Sequence, residues 1–237
     1  MEDTIEFRQR MTNQWKGKMV NDQYEISELI GTGSYGDVFL ATSIENPNEK
    51  YAVKIMEKKK WRHLESKCVD RLLIEKSMMS KIWHENIVRC HEFHEDLTHW
   101  YMILDHCTSG DLEDDINGPK NLKLNEPMAV SYLAQILNGF KLLQWYSIMH
   151  RDMKPANILK DDSQKKFIRI ADFGGLKLGS QETRSLVGTP FYLAPEMNEV
   201  YKASNGHSPN SAKNYDSRVD IFTIGCIFYE MLVGKKL

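Results

Sequence analysis

The sequence contains few cysteines, and none of them forms a paired motif. Its four cysteines, Cys68, Cys90, Cys107 and Cys226, lie far apart, without a CxxC pair or the spacing of a zinc site. Scattered thiols of this kind are typical of proteins in a reducing compartment. We therefore expect free cysteines and an intracellular, cytoplasmic protein.

Long hydrophobic runs and an excess of one charge are also missing. The longest apolar run, residues 221–233, contains Glu230 and is shorter than the roughly 20 residues of a transmembrane helix. The charged N-terminus lacks the apolar segment of a signal peptide. Lysine and arginine number 31 against 33 acidic residues, so no overall field attracts nucleic acid. We expect no transmembrane segment and no nucleic-acid partner.

The hydrophobic pattern changes near residue 106. From Tyr24 to Asp105, short apolar or alternating runs separated by polar turns predict strands, with one helix around residues 69–82. Beyond that point apolar residues recur at helical spacing, as from Val130 to Leu137. The run at 221–233 predicts a buried helix.

These patterns predict an α+β chain of two lobes. We expect an N-terminal extension over residues 1–23, a small antiparallel-sheet lobe over 24–106 and a mainly helical lobe over 107–237. A cleft between two lobes commonly binds ligands. The polar stretch 198–216, with its turn signals, is interpreted as a surface insertion.

A glycine-rich segment, "GTGSYGDV", follows the first predicted strand. Gly31, Gly33 and Gly36 allow tight turns and a close approach of backbone amides to phosphate oxygens. The same pattern opens dinucleotide-binding units, but there a helix follows. Here the strand-like "DVFLAT" follows, which favours a glycine-rich hairpin. Taken alone, the segment is equally consistent with an ordinary turn.

Two charged residues interrupt apolar patterns. Lys54 lies in the strand-like "YAVKIM", and Glu75 lies on the apolar stripe of the predicted helix. Burying either charge alone is costly, whereas pairing them satisfies both and leaves Lys54 able to contact phosphate. The alternative is that both side chains extend to solvent.

A dense polar cluster, "HRDMKPAN", lies between two apolar stretches and is followed by "DFG". Asp172 and Asn157 offer a few hard oxygen ligands, as Mg²⁺ prefers when substrate phosphates complete its shell. Asp152 is then placed to accept the proton of an attacking hydroxyl, and Lys154 to neutralise a transferring phosphoryl group. Each residue alone would be interpreted as a loop cap or surface charge.

Together these motifs resemble the eukaryotic protein kinases. The resemblance also includes "HENIV", the hinge "LDHCTSGDL", "GTPFYLAPE" and "VDIFTIG", and extends from about Tyr24 to the end. It implies a bilobal kinase fold that uses ATP and Mg²⁺, with protein substrates. Lys154 and Thr189 are similar to the serine/threonine type, so transfer to serine or threonine hydroxyls is expected.

The resemblance also implies roles for individual residues. Asp152, Lys154, Lys54 and Glu75 are expected to be catalytic, and Asn157 and Asp172 to bind the metal. Backbone groups of the hinge are expected at adenine. The implied nucleotide-binding set is Ile30, Gly31, Gly33, Gly36, Val38, Ala52, Lys54, Leu104, Asp105, Cys107, Asp111 and Leu159. A stacked regulatory spine is expected from Met79, Cys90, His150 and Phe173.

The arginine directly before Asp152, Arg151, resembles the arginine at this position in kinases that are controlled by phosphorylation of the activation loop. Ser185 is the first candidate for that phosphate, followed by Thr183 and Ser180. The resemblance implies an activating kinase or trans-autophosphorylation. It is strongest to the Unc-51-like kinases that start autophagy, with calcium/calmodulin-dependent and Aurora-like kinases as competitors, so a role in autophagy or stress signalling is expected.

Two features depart from the family pattern. Gly175 follows "DFG" where the family has a bulky apolar residue, and the chain stops soon after the helix near Asp220. We therefore expect a truncated C-lobe or another covering for that surface. The alternatives are a pseudokinase that binds nucleotide as a scaffold and a kinase of small molecules; "GTPFYLAPE" argues against the latter because it resembles a peptide-positioning segment.

Overall fold

A computed structural model of the chain describes residues 4–33, 36–61, 80–117, 123–161, 167–173, 177–178, 188–204 and 215–237. At residues 4, 61, 117, 177–178 and 201–204 it describes the backbone alone. The chain divides into two compact units, one of Met1–Trp83 with Val88–His106 and the other of His84–Ile87 with Cys107–Leu237. The predicted division into domains stays a prediction, because contacts alone define these units.

The first unit is built on one antiparallel sheet. Its elements are α1 (Thr4–Trp15), β1 (Met19–Val20), β2 (Tyr24–Gly33), β3 (Gly36–Ser43), β4 (Lys50–Glu57), α2 (Lys58–Trp61), β5 (Cys90–Glu95) and β6 (His99–Asp105). The six strands follow the order β1-β2-β3-β4-β6-β5. The pairs β1–β2, β3–β4 and β5–β6 are joined by short connections, as antiparallel pairs allow, whereas β4 and β6 are separated in the chain by α2 and β5.

One face of this sheet forms a hydrophobic core. Phe39, Val53 and Ile103 are opposite one another in β3, β4 and β6, and each is fully buried. Because side chains alternate between faces along a strand, residues at matching register share a face. Trp15 at the end of α1 is buried in the same core.

The second unit combines helices with short strand pairs. Its elements are α3 (Leu112–Asn117), α4 (Glu126–Trp145), β7 (Ile148–Met149), β8 (Ile158–Asp161), β9 (Phe167–Ile170), β10 (Lys177–Leu178), α5 (Pro195–Ser204) and α6 (Arg218–Val233). Single 3₁₀ turns occupy Pro155–Asn157 and Pro190–Tyr192. The strands pair antiparallel as β7 with β10 and β8 with β9.

Helix α4 begins at a strong capping signal but buries a different face from the one its sequence spacing emphasised. The Asn125 side chain accepts a hydrogen bond from the Met128 amide at 3.0 Å, which satisfies a donor of the first turn. Val130 and Leu137 are 48% and 44% exposed. The helix has a second apolar stripe, and its larger side chains are the buried ones: Tyr132, Ile136, Phe140 and Leu143.

The structure corrects two expectations about the C-terminal part. The stretch 198–216 is not wholly a surface insertion, because Asn198–Ser204 continues α5 and both Val200 and Tyr215 belong to a buried core cluster. Helix α6 buries one face and leaves Ile221 exposed. Within the described ranges, no helix combines the length and apolar composition that a bilayer span requires.

Candidate active site

Five of the predicted nucleotide-binding residues share one face of the sheet in the first unit. Val38 is opposite both Gly31 and Lys54, and Ala52 is opposite Leu104. Lys54 lies two residues beyond Ala52 on β4, so all five fall on the same side of the pleat. This face is the reverse of the Phe39 face, which is occupied by the hydrophobic core.

The glycine-rich turn requires glycine at one position in particular. Gly33 and Gly36 are paired at the ends of β2 and β3, and Gly36 has φ +155°. A Cβ atom on Gly36 would collide with the carbonyl oxygen of Ile55 on β4. The missing side chain therefore lets the turn pass close to the neighbouring strand. Ile30, in the same segment, is partly exposed.

Lys54 is buried in the middle of the sheet, with an exposed fraction of 6%. It is opposite Val38 in β3 and Met102 in β6, so apolar side chains surround its stem. Glu75, its predicted partner, lies outside the described residues. The predicted Lys54–Glu75 ion pair therefore stays a prediction.

The end of β6 is held by the side chain of Asp105. One carboxylate oxygen accepts a hydrogen bond from the Arg89 amide at 2.9 Å, and the other lies 2.8 Å from Nε2 of His91. The Asp105 amide donates in turn to the Arg89 carbonyl at 3.0 Å. These bonds fix the backbone at the residue predicted to bind adenine.

The remaining nucleotide-binding candidates, Cys107, Asp111 and Leu159, lie in the second unit. Asp111 forms an isolated antiparallel bridge with Leu159 of β8, and its carboxylate accepts a hydrogen bond from the Asp114 amide at 2.9 Å, at the start of α3. Burial raises the pKa of the Asp111 carboxyl above its ordinary value. Cys107 is half-buried.

The centre of the second unit's polar cluster is a three-residue network. The Thr189 hydroxyl donates to one oxygen of Asp152 at 2.8 Å, and Nζ of Lys154 donates to the other at 3.1 Å. Nζ of Lys154 also donates to the Thr189 hydroxyl at 3.2 Å. The Asp152 carboxylate is thus held from both sides, as a positioned proton acceptor requires.

The two predicted metal ligands are tied to this network: Asn157 through its side-chain amide, which also donates to the Asp152 carboxylate at 3.3 Å, and Asp172 through the backbone. The Asn157 amide group donates to the Asp152 carbonyl at 2.7 Å, and the Ala171 amide donates to the Asn157 carbonyl at 2.9 Å. Asp172 follows Ala171 in a left-handed conformation, with φ +57°. Among the described residues there is no group of three or more His, Cys, Asp or Glu side chains that could hold a metal. Two oxygen ligands fit Mg²⁺, which keeps water or phosphate in its shell.

Sequence reasoning missed the residue that anchors this loop. The buried Asp220 of α6 accepts the His150 amide with one carboxylate oxygen and the Arg151 amide with the other, both at 2.8 Å. Burial raises the pKa of its carboxyl, although the two amides and the nearby cationic groups oppose the rise. Its only sequence signal is an acidic residue at the start of the apolar run in "VDIFTIG".

Part of the predicted regulatory spine is brought together. The His150 and Phe173 rings lie 5.1 Å apart between centroids, and Nε2 of His150 lies 3.1 Å from the Ala171 carbonyl oxygen. Cys90 is buried in the first unit. Met79 lies outside the described residues, so the complete spine stays a prediction.

The regulatory candidates are only partly described. Arg151 is buried, has φ +66°, and its guanidinium donates to the Tyr215 hydroxyl at 3.5 Å. The candidate phosphorylation sites Ser180, Thr183 and Ser185 lie outside the described residues. The predicted pairing of Arg151 with a phosphate stays a prediction.

Comparison with known sequences decides the family. Residues 24–237 match the protein kinase domain family, which is most of the chain. The chain belongs to the protein kinase family. The predicted resemblance and the bilobal α+β fold class are thereby confirmed, and so is the enzyme class at the level of the family.

The curated relatives of this kinase domain are named as serine/threonine or calcium-dependent kinases. Serine/threonine-protein kinase atg1 of Dictyostelium discoideum is 34% identical, covering 92% of this chain and 31% of the relative. ULK3 of Xenopus laevis is 32% identical over 90% of the chain and 42% of the relative. Calcium-dependent protein kinase 5 of Plasmodium falciparum is 35% identical over 91% and 35%. The chain therefore spans about a third to two fifths of its relatives' length.

Proposed function

We propose that the protein is a serine/threonine protein kinase that transfers the γ-phosphate of ATP to serine or threonine hydroxyls of protein substrates. The observation that carries this proposal is the Asp152 carboxylate held by Thr189 at 2.8 Å and by Lys154 at 3.1 Å. A carboxylate fixed in this way accepts a proton without reorganising. The family match and the names of the relatives support the same reaction.

The residues of the second unit divide the chemistry between them. Asp152 orients the attacking hydroxyl and takes its proton, while the ammonium group of Lys154 offsets negative charge that develops on the phosphoryl group. Thr189 bonds to both residues and keeps them together. Phosphoryl transfer depends mainly on positioning and charge, so such a network accounts for the essential contribution of the protein.

Asn157 and Asp172 are the residues that would hold Mg²⁺. Bound there, the metal would neutralise the charges of the ATP phosphates. Asn157 is buried and fixed at its amide nitrogen by the Asp152 carbonyl, which orients its side chain. For the nucleotide, the shared sheet face of Val38, Ala52 and Lys54 supports binding to this side of the sheet.

The test is transfer of label from radioactive ATP to a generic protein substrate. Asp152→Asn and Asp172→Asn should each lower the rate at least a hundredfold, since typical general-base and metal contributions are about 10² or more. Asp22→Asn, the same chemical change in an exposed turn, should leave the rate unchanged. Phosphoamino-acid analysis should find serine or threonine and no tyrosine.

Two results would contradict the proposal. Equal labelling from the wild-type protein and both variants would show that Asp152 and Asp172 do not carry the reaction. Binding of MgATP by calorimetry without any transfer would favour the nucleotide-binding pseudokinase scaffold instead.

We also propose regulation by phosphorylation of the activation loop, first at Ser185, with Thr183 and Ser180 as alternatives. The motivation is Arg151, which directly precedes Asp152 in the sequence and whose guanidinium donates a hydrogen bond to the Tyr215 hydroxyl. A phosphate pairs strongly with an arginine fork. An activating kinase or trans-autophosphorylation would supply it. Similarity to proteins named atg1 and ULK3 supports a role in autophagy or stress signalling, and the scattered cysteines favour a cytoplasmic location.

A further inference from the structure

The N-terminal helix precedes the segment that matches the kinase family, yet it is part of the first unit's core. The family match begins at residue 24, whereas α1 ends at Trp15. The Trp15 ring lies 6.0 Å from Phe39 and 6.3 Å from Tyr101 between centroids. Met11 and Phe7, one and two turns earlier on the same side of the helix, pack against the same core.

Helix α1 covers the reverse of the face that carries the nucleotide-binding candidates. Phe39, against which Trp15 packs, directly follows Val38 in β3, and successive residues of a strand point to opposite faces. Helix α1 therefore lies on the opposite side of the sheet from the face where the nucleotide is proposed to bind. Any influence would pass through the sheet itself.

Strand β2 passes from one face to the other through two register shifts. Ile26 is opposite Ala41, Leu29 is opposite Phe39, and Gly31 is opposite Val38, so β2 gains one extra residue at each step. The second shift moves Gly31 onto the nucleotide face, although Leu29, two residues before it, is on the core face. Bulges of this kind re-aim a strand, and a slip of one residue would reverse the faces again.

The hydroxyl group of Thr12 accepts a hydrogen bond from Leu29, the residue between these two register shifts. The Leu29 amide donates to Oγ1 of Thr12 at 3.1 Å. The segment after α1 secures the first shift in the same way, since the Gly17 amide donates to the Ile26 carbonyl at 2.8 Å. Helix α1 thus holds β2 immediately before its glycine-rich turn.

We infer that Thr12 is a positioning residue for nucleotide binding, acting through Leu29 to fix the register of the glycine-rich turn. The inference rests on the proposed function for the identity of the ligand, MgATP. Without the Thr12 hydroxyl, β2 would populate other registers, and the apparent affinity would fall by the fraction of competent molecules. Thr12 itself does not touch the nucleotide, so the chemical step should be affected little.

The test compares Thr12→Val with Thr12→Ser in the full chain. Valine keeps the shape and removes the hydroxyl, whereas serine keeps the hydroxyl. We expect Thr12→Val to raise the Kd for MgATP, measured by calorimetry, about two- to tenfold, which corresponds to one hydrogen bond. Amide hydrogen exchange at Leu29 should speed up by a similar factor, KM for ATP should rise with Kd, and kcat should change less than about twofold. Thr12→Ser and Gln9→Ala, on the exposed side of α1, should match the wild type.

The outcomes separate this inference from the proposed function. Faster Leu29 exchange with weaker MgATP binding supports it even if no phosphoryl transfer is detected, a result that would contradict only the proposed function. Unchanged Kd in Thr12→Val despite faster exchange at Leu29 would overturn it. So would a loss of affinity in Thr12→Ser or Gln9→Ala equal to that in Thr12→Val.

Discussion

Replacing Thr189 by valine tests the network around the proposed catalytic base. Valine keeps the branched shape of threonine but removes the hydroxyl that donates to Asp152 at 2.8 Å and accepts from Lys154 at 3.2 Å. The backbone of the 3₁₀ turn that follows Thr189 is left intact, since Thr189 makes no side-chain cap there. The substitution therefore removes two hydrogen bonds with little change in packing.

The expected magnitude follows from the charges involved. Hydrogen bonds to charged groups contribute about 1.5–3 kcal/mol, and both partners of Thr189 are charged. The Asp152 and Lys154 side chains are 18% and 26% exposed. Water can therefore replace part of the lost hydrogen bonding, and the lower end of that range applies. A loss of about 1.5–2 kcal/mol corresponds to a fall in kcat of about 10- to 30-fold.

Steady-state kinetics with a peptide substrate measure the effect. Thr189→Val should lower kcat and leave KM for ATP within about twofold of the wild type, because the Thr189 hydroxyl bonds to Asp152 and Lys154, the residues proposed to act in the chemical step. Thr189→Ser keeps the hydroxyl and should retain most of the activity. A kcat for Thr189→Val within twofold of the wild type would refute this account, as would equal impairment of the serine and valine variants.

Two further predictions concern stability and regulation. Although burial opposes it, hydrogen bonds from the Tyr101 hydroxyl and the backbone of the following turn hold the pKa of Asp96 well below its usual range. The carboxylate therefore stabilises the fold above about pH 4, and this is lost as pH falls through the lowered pKa. In urea unfolding, Asp96→Asn should lower the free energy of unfolding at neutral pH, and this loss should shrink below about pH 4. A loss that does not change with pH would contradict the prediction. Glu45→Gln, in an exposed turn, is the control. Phosphopeptide mapping of the active protein should find Ser185 modified, with Ser185→Ala less active and Ser180→Ala unaffected; full activity with Ser185 unmodified would exclude that site.

The local patterns in the first unit were sufficient to predict its sheet. Alternation of apolar residues in "DVFLAT" and "YAVKIM" marks β3 and β4, and short turns leave an antiparallel arrangement as the natural one. The same alternation places Val38 and Ala52 on one face. By contrast, nothing local to Thr12 indicates that its hydroxyl bonds to Leu29, since that contact depends on how α1 packs against the sheet.

Helix α4 shows a different limit of sequence reasoning. The helix was predicted because apolar residues recur at its period, but such residues occur on two faces, and periodicity alone does not choose between them. Packing selects the face with the larger side chains, including Tyr132 and Phe140. Val200 and Tyr215 are a related case, since single apolar residues in a polar stretch give no periodic signal although both are buried.

The anchoring role of Asp220 explains why the polar cluster depends on a distant helix. Arg151 has a left-handed backbone, which costs a residue with a side chain about 1–2 kcal/mol, and its amide would be a buried donor without a carboxylate to receive it. Asp220 offers one oxygen to each of two consecutive amides. An asparagine at this position would turn its NH₂ group, a donor, toward one of these amide donors. Because α6 is itself fixed by buried residues such as Ile227 and Met231, its packing sets the position of the backbone that carries Asp152. Asp152, Lys154 and Asn157 lie within six residues of one another in the sequence, but the position of their backbone is set from a helix about seventy residues away.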